Sequence, residues 1–175
     1  MNDAGRRPIV RSERFVADAM QAWGDAVWRL ALVRTGSHAD ADDVYQDVFL
    51  SLARDTTDFV DEEHLKAWLL RVAANRCREL ARRPWRRRDM ALDDLLAEPA
   101  DPNASDAFSQ VECAEVWQVV ARLRPRYREV IHLCYQEGMD CAAIARVLGI
   151  APSTVATRLQ RARAQLRTKL GGDWL

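Results

Sequence analysis

The run from Gly138 to Leu170, GMDCAAIARVLGIAPSTVATRLQRARAQLRTKL, admits few folds. Ile144, Ala145 and Leu148 make one apolar face of a short helix, and Gly149 supplies the left-handed turn that ends it. Ile150 plugs the turn. Pro152-Ser153-Thr154 opens a second helix, with a hydroxyl placed to cap it. Val155, Leu159, Ala162, Leu166 and Leu170 recur at helical spacing on the inner side of that helix. Its outer side carries Ser153, Thr154, Thr157, Arg158, Gln160 and Arg161, donors suited to base edges and phosphates. Two short helices joined by a glycine turn, the second with a basic outer face, describe a DNA-binding helix-turn-helix. An amphipathic hairpin with a solvated basic face is the plainer alternative.

The rest of the chain is helical by the same criterion. One helix is expected at about 14–34, with Phe15, Ala19, Ala22, Ala26, Val27, Leu30 and Val33 inward, ended by Thr35-Gly36-Ser37. A second begins near Asp40, whose acid suits a helix N-terminus, and runs through Val44, Val48, Phe49 and Leu52. A polar loop, 55–63, precedes a third helix at about 64–83, which buries Leu65, Trp68, Leu69, Val72, Ala73 and Leu80 before Pro84. Residues 89–110, with Pro99, Pro102 and many acids, read as an acidic flexible linker. A helix over 111–123 follows, and Pro125 opens another with Val130, Ile131, Cys134 and Tyr135 inward, ended by Gly138. The expected fold is all-α. Two small helical domains, 10–88 and 111–171, are joined by the linker 89–110.

The balanced charge, 26 bases against 26 acids, hides alternating blocks. Residues 40–63 hold nine acids against Arg54, and 65–88 hold nine bases against Glu79. Residues 89–115 hold eight acids and no base; 122–170 hold ten bases against three acids. Such blocks suit distinct surfaces for distinct partners. No apolar run reaches membrane-spanning length and the N-terminus lacks a signal-peptide core, so a cytoplasmic protein without membrane insertion is expected. Cys77, Cys113, Cys134 and Cys141 show no paired-cysteine motif. His132, Cys134 and Cys141 fit no standard zinc spacing, so neither metal nor cofactor is expected. No phosphate-cradling glycine loop or nucleophile–base arrangement is present, and the chain reads as a non-enzyme.

Three segments, DADDVYQDVFLSLAR (40–54), HLKAWLLRVAANRCRELARRPWRRR (64–88) and LRPRYREVIHLCYQEGMDCAAIARVLGIAPSTVATRLQRARAQL (123–166), stand in this order with the acidic linker between the last two. Together they resemble the extracytoplasmic-function (ECF) sigma factors, small members of the bacterial sigma-70 family. The resemblance covers about 150 of the 175 residues. It implies a sigma-2 domain, a sigma-4 domain, and a role in bringing core RNA polymerase to promoters and opening the DNA.

Residue by residue, Ala41-Asp42-Asp43-Val44-Tyr45-Gln46-Asp47-Val48-Phe49 follows the family pattern A-E-D-L-x-Q-E-x-F. The resemblance implies that Asp42, Asp43, Gln46 and Asp47 dock the β′ clamp helices, with the β flap a further polymerase contact. The plainer reading of these residues is a solvated, dipole-stabilising face. The loop 55–63 and the helix after it correspond to the reader of the −10 element, with Phe59, Lys66, Arg71, Asn75, Arg76, Arg78 and Arg82 as candidates. Trp68 sits on the apolar face and suits core better than stacking; Phe59 suits either. Trp85 amid arginines suits stacking or simple phosphate tracking.

The second helix of the helix-turn-helix corresponds to the reader of the −35 element, through Ser153, Thr154, Thr157, Arg158, Gln160 and Arg161. Ala156 and Ala143 replace a Lys and a Glu common in the family; the first removes a backbone contact and leaves the contact set open, and neither disturbs the helix-turn-helix packing. The linker acids, Asp93, Asp94, Glu98, Asp101 and Asp106, fit threading along an RNA path or a plain tether. An anti-sigma factor is an implied partner. A stand-alone helix-turn-helix regulator is the alternative, and it leaves the 40–54 pattern unexplained. A redox or metal sensor using His132, Cys134 and Cys141 is the more distant rival.

Overall fold

A computed structural model of the chain describes residues 11–82 and 114–170. Among them all regular structure is helical: α1 (Glu13–Thr35), α2 (His38–Arg54), α3 (Glu62–Ala81), α4 (Ala114–Ala121), α5 (Pro125–Ile131), a π-helical turn (His132–Gln136), α6 (Cys141–Leu148) and α7 (Pro152–Leu170). The acidic linker, Trp85 with its flanking arginines, Cys113 and the start of the predicted 111–123 helix lie outside the described residues.

Capping sets the boundaries. Ser12 Oγ accepts from Phe15 N at 3.3 Å, Ser37 Oγ from Asp40 N at 3.3 Å, and Asp61 Oδ1 from His64 N at 2.7 Å. Each satisfies an amide that the first turn leaves orphaned. These caps lengthen two helices beyond expectation: α2 starts at His38 rather than near Asp40, and α3 at Glu62 rather than His64. Gly36 closes α1 at φ +66° and returns its amide to Leu32 O at 2.8 Å.

The first three helices pack on one another around Val27, Leu30, Ala31, Val44, Val48, Leu52, Leu69, Leu70 and Ala73. Ala22, expected inward, is exposed; the buried stripe of α1 runs instead through Ala19, Val27, Leu30 and Ala31 to Leu32 and Val33 near its C-terminal end. The C-terminal helices gather on α7, whose inner residues Val155, Leu159, Ala162 and Leu166 are buried as the spacing requires. The two halves share one continuous apolar core, with α6 against α3 and α5 against α1.

Two local expectations are corrected. Tyr135 is 47% exposed, whereas His132 and Leu133 are buried. The cause is the π turn, in which Glu137 N bonds to His132 O, five residues back, and rotates Tyr135 off the inner face. Ser153 and Thr154 do not cap α7. The helix begins at Pro152, and the amides of Thr154 and Val155 return to Ala151 O, so both hydroxyl residues lie inside the first turn.

Candidate nucleic-acid interface

The acids of α2 emerge together because the apolar residues Ala41, Val44, Val48, Phe49 and Leu52 occupy the opposite face. Asp42, Asp43, Gln46 and Asp47 are all exposed. Trp28 Nε1 donates to Asp42 Oδ1 at 2.8 Å, which fixes that carboxylate against α1 and leaves Asp43 and Asp47 as the less committed acids. Leu50, 54% exposed, follows Asp47 at i+3 and Gln46 at i+4 on this side. An acidic face with one apolar residue suits a partner helix carrying bases around an apolar spot. The sequence reading missed Leu50; its position three after Asp47 and outside the apolar stripe was the available signal.

The loop before α3 is anchored rather than free. Phe59 stacks on Phe15 with ring centres 6.4 Å apart and meets the rings of His64 at 5.4 Å and Trp68 at 5.7 Å. The Arg11 guanidinium lies 4.8 Å from the centre of the Phe15 ring and 4.7 Å from that of Phe59. Arg11 also donates to Thr57 O and approaches Asp55 Oδ1 at 3.8 Å, and its amide bonds to Ala53 O at 3.0 Å. A cation over two aromatic faces is attracted by their quadrupoles. Arg11 went unnoticed in the sequence, for all its partners but Phe15 lie more than forty positions away. Trp68 is part of this cluster and partly buried, as its place on the apolar face suggested.

Along α3 the candidate residues divide. Arg71, Asn75 and Arg82 are exposed. Arg76 pairs with Glu79 at 2.9 Å on the surface, a contact of small worth. Lys66 and Arg78 turn toward the C-terminal half. Lys66 Nζ is 3.1 Å from Glu137 Oε2 and 5.1 Å from the centre of the Trp23 ring. Arg78 donates through Nη2 to Leu148 O at 2.7 Å and through Nη1 to Asn75 Oδ1 at 2.9 Å.

The turn into the recognition helix is built as expected. Asp140 Oδ1 caps α6 through Ala143 N at 2.7 Å, and Gly149, at φ +65°, closes it through its amide to Ala145 O. On α7, Ser153, Thr157, Gln160 and Arg161 are exposed, and Thr154 and Arg158 half-buried. Ser153, Thr154, Thr157, Arg158 and Arg161 line an open cleft with Arg126 and Tyr127 of α5. Three arginines converge there and no acid among the described residues lines the cleft, a charge pattern that suits a phosphate chain. Arg126 was absent from the sequence candidates because it belongs to a different helix, brought in only by packing.

Beneath this face lies Glu129, 4% exposed, which accepts from Arg34 through Oε2 and from Arg158 through Oε1, the latter at 2.9 Å. Burial pushes its carboxyl above the ordinary range, against the pull of Arg34, Arg158 and Arg78. His132, 1% exposed, is driven down to about 3 by burial, with Arg29 and Lys66 adding to the shift. Its imidazole is therefore neutral at neutral pH, and its 3.6 Å approach to Glu137 is not an ion pair. Burial raises the Cys77 thiol to about 11, which makes it a packing residue rather than a reactive thiolate. No group of three metal-ligating side chains occurs among the described residues. No helix there is long and apolar enough to cross a membrane.

Similarity to known proteins follows the same division of the chain. Residues 19–87 match the family model described as Sigma-70 region 2, and residues 113–166 that described as Sigma-70, region 4. The ECF RNA polymerase sigma factor SigM of Mycobacterium tuberculosis is 33% identical over 144 residues, which cover 82% of this chain and 70% of SigM. The RNA polymerase sigma factor NccH of Alcaligenes xylosoxydans xylosoxydans is 31% identical over 171 residues, 94% of this chain and 91% of that one. The ECF RNA polymerase sigma factor SigE of Mycolicibacterium smegmatis is 32% identical over 162 residues, and there the chain spans only 63% of the relative's length. Among solved structures, CnrH in complex with the cytosolic domain of CnrY superposes with a TM-score of 0.61 at 28% identity, over 93% of this chain and 91% of CnrH. The sigma factor RpoE in complex with the anti-sigma factor NepR from Bartonella quintana shares the fold, with a TM-score of 0.66 at 22% identity over 93% of this chain and 99% of that one.

Proposed function

This chain belongs to the ECF sigma factors of the sigma-70 family, and from that premise we propose that it binds core RNA polymerase, brings it to a two-element promoter and helps open the DNA, the polymerase performing the chemistry. Residues 10–88 act as the sigma-2 domain, 111–171 as the sigma-4 domain, and 89–110 as the tether between them. Asp42, Asp43, Gln46 and Asp47 dock the β′ clamp helices, with Leu50 as an apolar neighbour, and the C-terminal domain meets the β flap.

Phe59, Lys66, Arg71, Asn75, Arg76, Arg78 and Arg82 face the −10 element. Ser153, Thr154, Thr157, Arg158, Gln160 and Arg161 face the −35 element, with Arg126 on the flanking phosphates. An anti-sigma factor is the regulatory partner; both structural relatives named above were solved with such a protein or with a cytosolic domain bound. The setting of this work is the cytoplasm.

The observation that carries the reading is the segregation of charge by helix: an exposed acidic face on α2, and a cluster of arginines at the mouth of the helix-turn-helix. A single DNA-binding module needs the second and leaves the first without a purpose. The test is co-elution of the purified chain with core RNA polymerase on size exclusion at moderate salt, followed by promoter-directed transcription from the reconstituted enzyme. Co-elution and start-site-specific transcripts are expected. A folded chain that fails to associate with its cognate core enzyme overturns the reading.

A further inference from the structure

The acidic face of α2 does not stand alone, for α1 reaches it through one side chain. Trp28 is half-buried on the seam between the two helices, and its indole Nε1 donates to Asp42 Oδ1 at 2.8 Å. An indole carries a single donor on a large apolar body, so a position that covers the ring still asks for an acceptor at its edge. Asp42, at the start of the second turn of α2, is that acceptor and remains exposed. His38, the first residue of α2, packs on the same indole, with ring centres 5.4 Å apart and planes tilted by 58°. The indole therefore has little freedom to swing.

The seam is close here. One turn earlier on α1, Gly24 lies against Tyr45, and a β-carbon at that position would stand 3.1 Å from the Tyr45 hydroxyl. The core beneath already joins the helices through Val27, Leu30, Ala31, Val44 and Val48, so an exposed hydrogen bond adds little to that contact. What the bond changes is the carboxylate. An exposed aspartate samples several rotamers, and a partner that captures it must freeze them. A carboxylate accepts at about four lone-pair sites. The indole takes one at Oδ1 and orients the group, while its charge stays available to a base.

We propose that Trp28 is a positioning residue for core polymerase binding: its indole N–H pre-orients the Asp42 carboxylate for a basic group of the partner, without touching the partner itself. The proposal rests on the docking role assigned to Asp42 above. Holding one side chain in its bound rotamer before association contributes roughly two- to tenfold in affinity.

The test is a double-mutant cycle in the full chain. Wild type, Trp28→Phe, Asp42→Ala and the pair are each titrated against labelled cognate core enzyme at fixed salt, with melting curves as the check on folding. Trp28→Phe keeps an aromatic ring on the seam and removes the donor. It should weaken binding about threefold in the wild-type background, and not at all beside Asp42→Ala. Higher salt should shrink both single effects together, since both act through one charge. A purely structural loss has no reason to vanish with Asp42. An equal loss in both backgrounds overturns the proposal, because Trp28 then acts by its own contact or through the fold. Full affinity in Trp28→Phe, where Asp42→Ala is weakened, overturns the positioning and leaves the docking face intact. Full affinity in Asp42→Ala removes Asp42 from that face and the proposal with it, whereas co-elution with core enzyme still decides the broader reading. Should Trp28→Phe not fold, the benzothiophene analogue of Trp28, with sulfur in place of the N–H, must give the same loss and the same dependence on Asp42.

Discussion

Arg11 stands over Phe59, its guanidinium carbon 4.7 Å from the ring centre, and so ties the segment before α1 to the loop before α3. Residue 11 precedes the part of the chain that matches sigma-70 region 2, which begins at residue 19. Arg11→Ala is expected to lower stability by about 1 kcal/mol and to relax base preference at the −10 element, with core affinity unchanged. Arg11→Lys keeps the charge but loses the planar stacking and the fork, so it should rescue only in part. Thermal melts together with transcription from −10 variants check this; wild-type preference in Arg11→Ala would show that the loop is held by its aromatic contacts alone.

Asp43 and Asp47 are exposed on α2, whereas Asp42 is bonded to Trp28. The double variant Asp43→Arg, Asp47→Arg is expected to weaken core polymerase binding at least tenfold, about 1.4 kcal/mol, while melting moves by no more than roughly 0.5 kcal/mol. Titration against labelled core enzyme measures the first and calorimetry the second. Normal affinity in a folded double variant would move the docking face elsewhere.

Arg158 and Arg161 share the cleft but not the same surroundings, since Arg158 also pairs with buried Glu129. Each alanine substitution should cost about 1–3 kcal/mol of −35 affinity if the side chain reads a base. Only Arg158→Ala should also lower the melting temperature, because it removes a partner from a buried carboxylate. Equal melting of the two variants would mean that Arg34 alone satisfies Glu129.

His132 falls to about 3 in the fold from an ordinary 6.5. Between those values the unfolded chain binds the proton more readily, so this residue's contribution to stability is complete above pH 6.5 and declines as pH falls toward 3. The slope approaches ~1.4 kcal/mol per pH unit for one proton. Glu129 is raised and so contributes in the opposite sense, losing stability as pH rises through its folded value. The comparison is therefore between parent and His132→Gln, whose stability should fall less steeply over that range in denaturant titrations at successive pH values. Parallel profiles would place the acid sensitivity in the carboxylates.

The helix-turn-helix was legible because its determinants are local: Gly149 turns, and the apolar residues of α6 and α7 follow one period; the Asp140 cap, equally local, emerges only in the structure. The acidic face of α2 was legible for the same reason. What escaped the sequence depended on partners far along the chain. Nothing in the sequence pairs Arg34, or the −35 candidate Arg158, with an acid until α5 brings Glu129 between them. Charge blocks even misled at this point, since a strongly basic C-terminal segment conceals its one decisive buried acid. Tyr135 was assigned to the core from an α-helical count that the π turn does not obey.

That π turn also sets the phase of everything after it. A hydrogen bond from Glu137 N to His132 O spans one residue more than an α-helical bond. Deleting one residue between 132 and 136 would let the turn relax to α geometry with the following chain still in phase, whereas a one-residue deletion in the α-helical stretch before it, between 126 and 131, would rotate the following chain by about 100° around the helix axis. The helix-turn-helix would keep its sequence, the Asp140 cap of α6 and the arginines of α7, yet aim them at a different side of the molecule. The spacing between Pro125 and Gly138 is thus as much a part of the proposed DNA-reading apparatus as the side chains assigned to it, and a length change in the α-helical part of that stretch should be more harmful than most substitutions.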